Sequence, residues 1–188
     1  AYYLVGYINT CWNNKHKSED KARRFLLYNL NSEYPHRNAY TLYARLEEDK
    51  NIVEKYLNQG LIKFPNHPQL LYALLVNSHD KASVIARILE SESSDFALLS
   101  KVIEILIAEH QWGKISRFIF RIQNNNTLDD EQTTYLNLLS GFSAAFGERA
   151  DYPKAIELFE NVEKRDLNNQ LGYAHYLGLI YSYIKNNS

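Results

Sequence analysis

The segment Asp151-Tyr-Pro-Lys-Ala-Ile-Glu-Leu-Phe-Glu160 carries the clearest fold signal in this chain. Asp151 suits the N-cap of a helix, and Pro153 is tolerated in a first turn, so a helix is expected to begin here. Ala155 and Phe159 stand four residues apart and therefore on one side of that helix. The segment is predicted to form an amphipathic helix that buries one small and one large apolar side chain.

The same helical pattern extends outward through most of the chain. Apolar residues recur at helical spacing, and the short polar breaks between them contain N-cap residues such as Ser18, Asp80 and Asp95. Glycine (7) and proline (4) are scarce, and no segment alternates with period two, so strands are not expected. Eleven helices are predicted, over residues 1–14, 18–32, 36–48, 50–64, 68–78, 80–91, 95–110, 112–124, 128–148, 151–165 and 169–185.

The predicted helices are joined by short connections, which make successive helices antiparallel. Each pair can bury one side against its own partner and another side against the next pair. This arrangement predicts an all-α fold, an α/α superhelical solenoid of about five and a half antiparallel helix pairs. We expect a single repeat domain over residues 1–188. The chain contains no methionine, even at its first position, so it is expected to be a piece of a longer protein.

Residues 139–167 resemble a tetratricopeptide repeat (TPR), a unit of two helices with small and aromatic residues at set positions. The residues that carry the resemblance are Leu139, Phe142, Ser143 and Phe146 on the first helix, and Ala155, Phe159 and Val162 on the second. The resemblance implies that Ser143 and Ala155 are small because the two helices approach closely there. A further unit begins at Asn168, and a looser match covers residues 53–65.

The resemblance also implies a binding groove, because the first helices of successive TPR units line a concave surface that holds peptides or partner segments. In the unit near the C-terminus, the corresponding groove positions are His175, Tyr176, Leu179 and Tyr183. Upstream, the candidate first helices carry Tyr40, Tyr43 and Tyr72. Tyrosine offers a large apolar face and a hydrogen-bonding hydroxyl, which suits recognition. Filling of the core is the alternative role for most of the 15 tyrosines.

A second candidate site is a basic stripe formed by Lys114, Arg117 and Arg121. The other side of the same helix is expected to bury Ile115, Phe118, Ile119 and Ile122. Three cations at this spacing fit an acidic partner helix or a phosphate group. A solvated outer face explains the same pattern, and the sequence leaves both interpretations open.

The overall charge argues against a general affinity for polyanions. Lys and Arg number 21 and Asp and Glu 22, so no global field attracts nucleic acid or an anionic membrane. No apolar run reaches the length of about 18 residues that a transmembrane helix needs, so membrane insertion is not expected. Cys11 is the only cysteine, which excludes an intrachain disulfide and fits a reducing compartment. A soluble protein is expected, with the cytoplasm slightly favoured.

Signatures of catalysis are missing from the sequence. The 6 histidines are scattered without HExxH or CxxC spacing, so neither a metal site nor another cofactor is expected. No glycine-rich phosphate loop and no GxSxG elbow occurs. Acidic pairs such as Glu47-Glu48 and Asp129-Asp130 stand at predicted helix ends, where capping explains them. The chain is therefore predicted not to be an enzyme.

These features predict a scaffold or adaptor that binds a protein or peptide partner along a concave groove, as part of a larger complex. Two alternatives remain open. The runs at 63–72 and 86–90 resemble the half-a-TPR scaffolds of RNA processing. The other alternative is an assembly module of cell-envelope or secretion machinery.

Overall fold

The structure of the protein is a computed structural model, which describes residues 18–91, 93–125, 127–147 and 149–165 together with Tyr3, Tyr7, Gly178 and Ile180. All regular structure in these residues is helical, and no strand occurs among them. The described helices are α1 (Glu19–Leu30), α2 (Arg37–Leu46), α3 (Lys50–Lys63), α4 (Pro68–Asn77), α5 (Lys81–Glu90), α6 (Phe96–Ala108), α7 (Trp112–Asn125), α8 (Asp130–Phe146) and α9 (Tyr152–Glu163).

These bounds confirm nine of the predicted helices closely. The helix predicted over 50–64 is α3, and the one predicted over 128–148 is α8, which is trimmed at both ends. Helix ends are the least certain part of a sequence-based prediction, because the last turn frays or tightens. The helices predicted over 1–14 and 169–185 fall outside the described residues, apart from the four isolated positions.

Most of the described helices begin where a side chain accepts a hydrogen bond from a free N–H group of the first turn, whereas α4 has no such bond and begins with Pro68. Ser18 Oγ accepts such a bond of 3.3 Å at the start of α1, and an Asp151 carboxylate oxygen accepts one of 3.0 Å at the start of α9. Asp129 and Gln132 form a reciprocal capping box at the start of α8. The N-caps predicted from the sequence are confirmed at Ser18, Asp80, Asp95 and Asp151.

The chain divides into two compact units, Ala1–Ser93 and Ser94–Ser188. In the first unit α1 packs against α2, α2 against α3, α3 against α4 and α4 against α5, and α2 also packs against α4. Because the connections between α2, α3 and α4 are short, these helices are antiparallel to their chain neighbours. Fully buried side chains that fill this unit include Leu26, Tyr40, Leu57, Leu61, Leu70, Leu71, Leu75 and Ile88.

Two helix pairs of the first unit, α2–α3 and α4–α5, have equivalent positions 31 residues apart. The N-cap of the first helix is His36 in one pair and His67 in the other, and the N-cap of the second helix is Asp49 and Asp80. The equivalent buried residues are Ala39 and Leu70, Tyr40 and Leu71, Tyr43 and Leu74, Ala44 and Leu75, Val53 and Val84, and Leu57 and Ile88. The first unit therefore contains one helix–turn–helix arrangement twice.

Gly60 lies where α2 and α3 approach most closely. A Cβ atom at this position would stand 2.9 Å from Cγ of the Tyr40 ring, which is closer than real Cβ contacts. The ring cannot easily move away, because Tyr40 is fully buried and also packs edge-on against Phe64. The absence of a side chain at Gly60 thus makes room for the ring of Tyr40.

In the second unit α6 packs against α7 and α8, α7 packs against α8, and α8 packs against α9. The core between α8 and α9 is centred on Phe159, which is fully buried. The other buried members of this cluster are Leu138, Ala145, Ala155, Val162 and Ile180. The core positions predicted for Ala155 and Phe159 are therefore confirmed.

The small residue that faces the Phe159 ring is Gly141, a position that the TPR resemblance did not single out. A Cβ atom added at Gly141 would lie 2.6 Å from Cε1 of Phe159, whereas Ser143 is only half-buried. Two residues correspond to more than half a helical turn, so the two positions face in different directions. Gly141, and not Ser143, is the small residue that admits the Phe159 ring.

Candidate functional site

The equivalent helices α2 and α4 each bury one side and leave the opposite side accessible. The accessible positions follow the spacing i, i+3, i+7, which is one stripe along a helix. We call the surface that they form the α2/α4 face, and its residues are Asn38, Thr41, Arg45, Gln69, Tyr72 and Val76. Because α2 contacts α4 and the two stripes occupy equivalent positions, they form neighbouring rows of one surface.

The α2/α4 face is poor in charge and contains accessible apolar side chains. Helix α4 has no charged residue, and its Tyr72 and Val76 side chains are 38% and 46% exposed. Arg45 is the only charged residue among the six. An accessible tyrosine and valine beside a single arginine can receive apolar side chains and one carboxylate.

Two of the three tyrosines that were expected near a groove belong to the core instead. Tyr40 and Tyr43 are 1% and 3% exposed, so neither can contact a partner in the folded protein. Tyr43 packs edge-on against Tyr56, with ring centroids 4.9 Å apart. Tyr72 is the member of the three that reaches the surface.

Behind the α2/α4 face, Glu47 fixes the turn between α2 and α3. One carboxylate oxygen accepts hydrogen bonds from the backbone N–H groups of Glu48 (3.0 Å) and Asp49 (3.2 Å), and the other accepts one from the Tyr43 hydroxyl (2.9 Å). These donors, led by the Asp49 N–H group, lower the pKa of Glu47. Burial, and then the hydrogen bond to Glu47, raise the pKa of Tyr43. These hydrogen bonds tie Tyr43 on α2 to the backbone of the turn that precedes α3.

The basic stripe lies on the outer side of α7. Lys114 and Arg117 are exposed and Arg121 is half-buried. The Lys114 ammonium group donates a hydrogen bond of 2.8 Å to Gln111 Oε1. The residues that hold the opposite side of α7 in the core are Ile115, Phe118 and Ile122, while Ile119 is half-buried.

Helix α7 also exposes an aromatic residue that was not singled out from the sequence. Phe120 is 69% exposed, and it follows Arg117 by three residues and precedes Arg121 by one. The spacing of apolar residues predicts the exposure of Phe120, because a helical wheel places Phe120 on the side opposite to Ile115 and Phe118.

The groove positions expected near the C-terminus, His175, Tyr176, Leu179 and Tyr183, lie outside the described residues. Their assignment stays a prediction. The α2/α4 face lies within the described residues.

Among the residues that the structure describes, no cluster of three or more His, Cys, Asp or Glu side chains is placed to hold a metal ion. None of the helices described combines the length and the apolar character that crossing a membrane requires.

The chain matches no protein-family model, no curated protein and no solved structure with which it was compared.

Proposed function

We propose that this chain is a TPR-like helical repeat module that binds a segment of a partner protein through the α2/α4 face. In this role it is a scaffold or adaptor and performs no catalysis. The observation that carries the proposal is the recurrence of caps and buried positions at an interval of 31 residues.

The packing of the helices supports a repeat array within each unit. In the first unit α2 contacts α3 and α4, and α3 contacts α4; in the second unit α6 contacts α7 and α8, and α7 contacts α8. A helix that packs against its chain neighbour and against the next-but-one helix is typical of stacked helix pairs. The interval of 31 residues is shorter than the TPR period of about 34 residues, and each interval spans one helix of 10 residues, α2 or α4, together with the 14-residue helix α3.

The chemistry of the α2/α4 face favours a protein segment as its ligand. Exposed tyrosine and valine on a helix without charge offer apolar area that a partner can cover, and tyrosine is enriched in protein interfaces. Arg45 adds one donor fork for a carboxylate. The expected ligand is a segment with apolar side chains spaced to reach Tyr72 and Val76, and with one acidic residue near Arg45.

Selection from a random peptide library displayed on phage tests this proposal. We expect enriched peptides that carry apolar residues and a carboxylate, and we expect their affinity to fall at least about tenfold for the Tyr72→Ala/Val76→Ala variant. Ile62→Ala is the matched control, because Ile62 on α3 is 77% exposed and lies outside the face. Peptides that bind the double variant as tightly as the unaltered chain would refute the role of this face.

The predicted groove near the C-terminus is tested with the same peptides. If groove recognition extends to that unit, Tyr176→Ala leaves the unfolding midpoint unchanged and weakens binding. A lower midpoint with this variant would show that Tyr176 is a core residue, and the groove assignment would be wrong there.

A further inference from the structure

The outer side of α7 combines exposed apolar area with concentrated positive charge. We call this the α7 surface, and it comprises Lys114, Arg117, Phe120 and Arg121. Helix α7 contains three cationic residues and no acidic residue. A single helix therefore presents an exposed aromatic ring beside a row of cations.

Phe120 is not needed to hold α7 in the fold. Ile115, Phe118 and Ile122 are each 0% exposed and attach the helix to its unit, whereas Phe120 is 69% exposed. A large aromatic side chain on the solvent side leaves apolar area in water, which is unfavourable in the isolated chain. Because three other residues already anchor the helix, Phe120 is available to contact a ligand that lies along the cations of α7.

We propose that the α7 surface binds an acidic, amphipathic segment of a partner protein. In this arrangement an apolar side chain of the segment covers Phe120, and its carboxylates pair with Lys114 and Arg117. Charge complementarity and the exposure of Phe120 favour this partner. Neither observation involves the α2/α4 face, so either surface can fail its test without affecting the other.

The surroundings of the α7 surface favour a short acidic segment over a nucleic acid. The side-chain amide of Gln111 connects Lys114 to the acidic residue Glu109. It accepts a hydrogen bond from Lys114 (2.8 Å) and donates one to Glu109 (2.7 Å). Glu109 therefore limits the extent of the positive patch at the N-terminal end of α7. The net charge of −1 also provides no long-range attraction for a phosphate backbone.

A designed peptide of about 18 residues tests the proposal, because helices of this length form readily when stabilised by a binding surface. Its helical wheel has a leucine and phenylalanine stripe flanked by glutamates. The first comparison peptide replaces every glutamate by lysine, and the second replaces the apolar stripe by serine. Binding to the full chain is measured by fluorescence anisotropy at low and at high salt.

We expect the glutamate peptide alone to bind, with an affinity that falls as salt rises. Arg117→Glu and Phe120→Ser should each weaken binding at least about tenfold, because one removes a charge partner and the other the apolar anchor. Ile62→Ala is the control, since Ile62 is 77% exposed and lies on α3 and not on α7. Thermal unfolding of each variant establishes that the fold is retained.

Two results would overturn the inference. The first is equal binding of the glutamate and the lysine peptides, or no binding of either. The second is tight binding of a single-stranded RNA that is lost with Arg117→Glu but kept with Phe120→Ser, which would make the α7 surface a phosphate site.

Discussion

The ring of Phe159 lies directly over Gly141, so that a Cβ atom on Gly141 would be 2.6 Å from the ring carbon Cε1. This contact joins α8 to α9, and Phe159 is fully buried within it. Phe142 adds an edge-on contact to the same ring, with centroids 5.5 Å apart. The pairing of a glycine with a buried aromatic ring sets how closely these two helices approach.

Gly141→Ala should therefore destabilise the protein, although alanine favours helices more than glycine does. Overpacking typically costs about 1–3 kcal/mol, and the gain in helix propensity is about 1 kcal/mol, so we expect a net loss of up to about 2 kcal/mol. Urea denaturation measures this change. The double variant Gly141→Ala/Phe159→Leu should lose less unfolding free energy than the sum of the losses in the two single variants. A Gly141→Ala variant more stable than the original chain would contradict the contact.

The two phenylalanines Phe159 and Phe120 should respond oppositely to truncation. Phe159→Ala removes a ring that is 0% exposed and leaves a cavity, so the free energy of unfolding should fall by about 3–5 kcal/mol. Phe120→Ala removes a ring that is 69% exposed and should change the same quantity by less than about 0.5 kcal/mol. Chemical denaturation of both variants makes the comparison. Similar losses in the two variants would mean that one of the burial assignments is wrong.

The hydrogen bonds to Glu47 predict an acid-dependent contribution to stability. The N–H group of Asp49, followed by the Tyr43 hydroxyl, lowers the pKa of Glu47 in the folded chain. The unfolded value is about 4.3, so the contribution is fully present above that pH and is lost as the pH falls through the lower folded value. Glu47→Gln should therefore be less stable than the original chain at neutral pH, and the difference should shrink below pH of about 4.

Glu48→Gln serves as the control for this experiment, because Glu48 is the exposed neighbour and contributes only its backbone N–H group to the turn. Urea denaturation at several pH values gives the comparison. A difference between Glu47→Gln and the original chain that stays constant from neutral to acid pH would contradict the role of the Glu47 carboxylate.

The helices were predictable from the sequence because their signals are local. Side chains such as Asp95 and Asp129 cap the helix that follows them, and a cap needs only residues within one turn. The apolar spacing within α7 likewise marked Ile115, Phe118 and Ile122 as buried before any packing was known.

Contacts between helices were less predictable, because they depend on which side chains meet across an interface. The aromatic character of Tyr40 and Tyr43 suited a binding surface as well as a core, and only the packing of α2 against α3 and α4 shows that both are buried. Likewise, the family pattern placed the close approach at Ser143, while the rotation of α8 presents Gly141 to Phe159.

The repetition in the first unit is present in the sequence, but its interval differs from the TPR period. His36 and His67, like Asp49 and Asp80, stand 31 residues apart. The TPR period of about 34 residues does not align these pairs. The α2/α4 face is defined by the equivalent positions of this repetition, so the face was not predicted from the sequence either.

Nuclear magnetic resonance of the isotope-labelled chain, titrated with a peptide selected from the displayed library, tests the central proposal most directly. If a partner segment binds the α2/α4 face, the largest chemical-shift changes should fall on Asn38, Thr41, Arg45, Gln69, Tyr72 and Val76, and the Tyr72→Ala/Val76→Ala variant should abolish them. Changes centred on the exposed residues of α3 or α5, with Tyr72 and Val76 unaffected, would contradict the proposal.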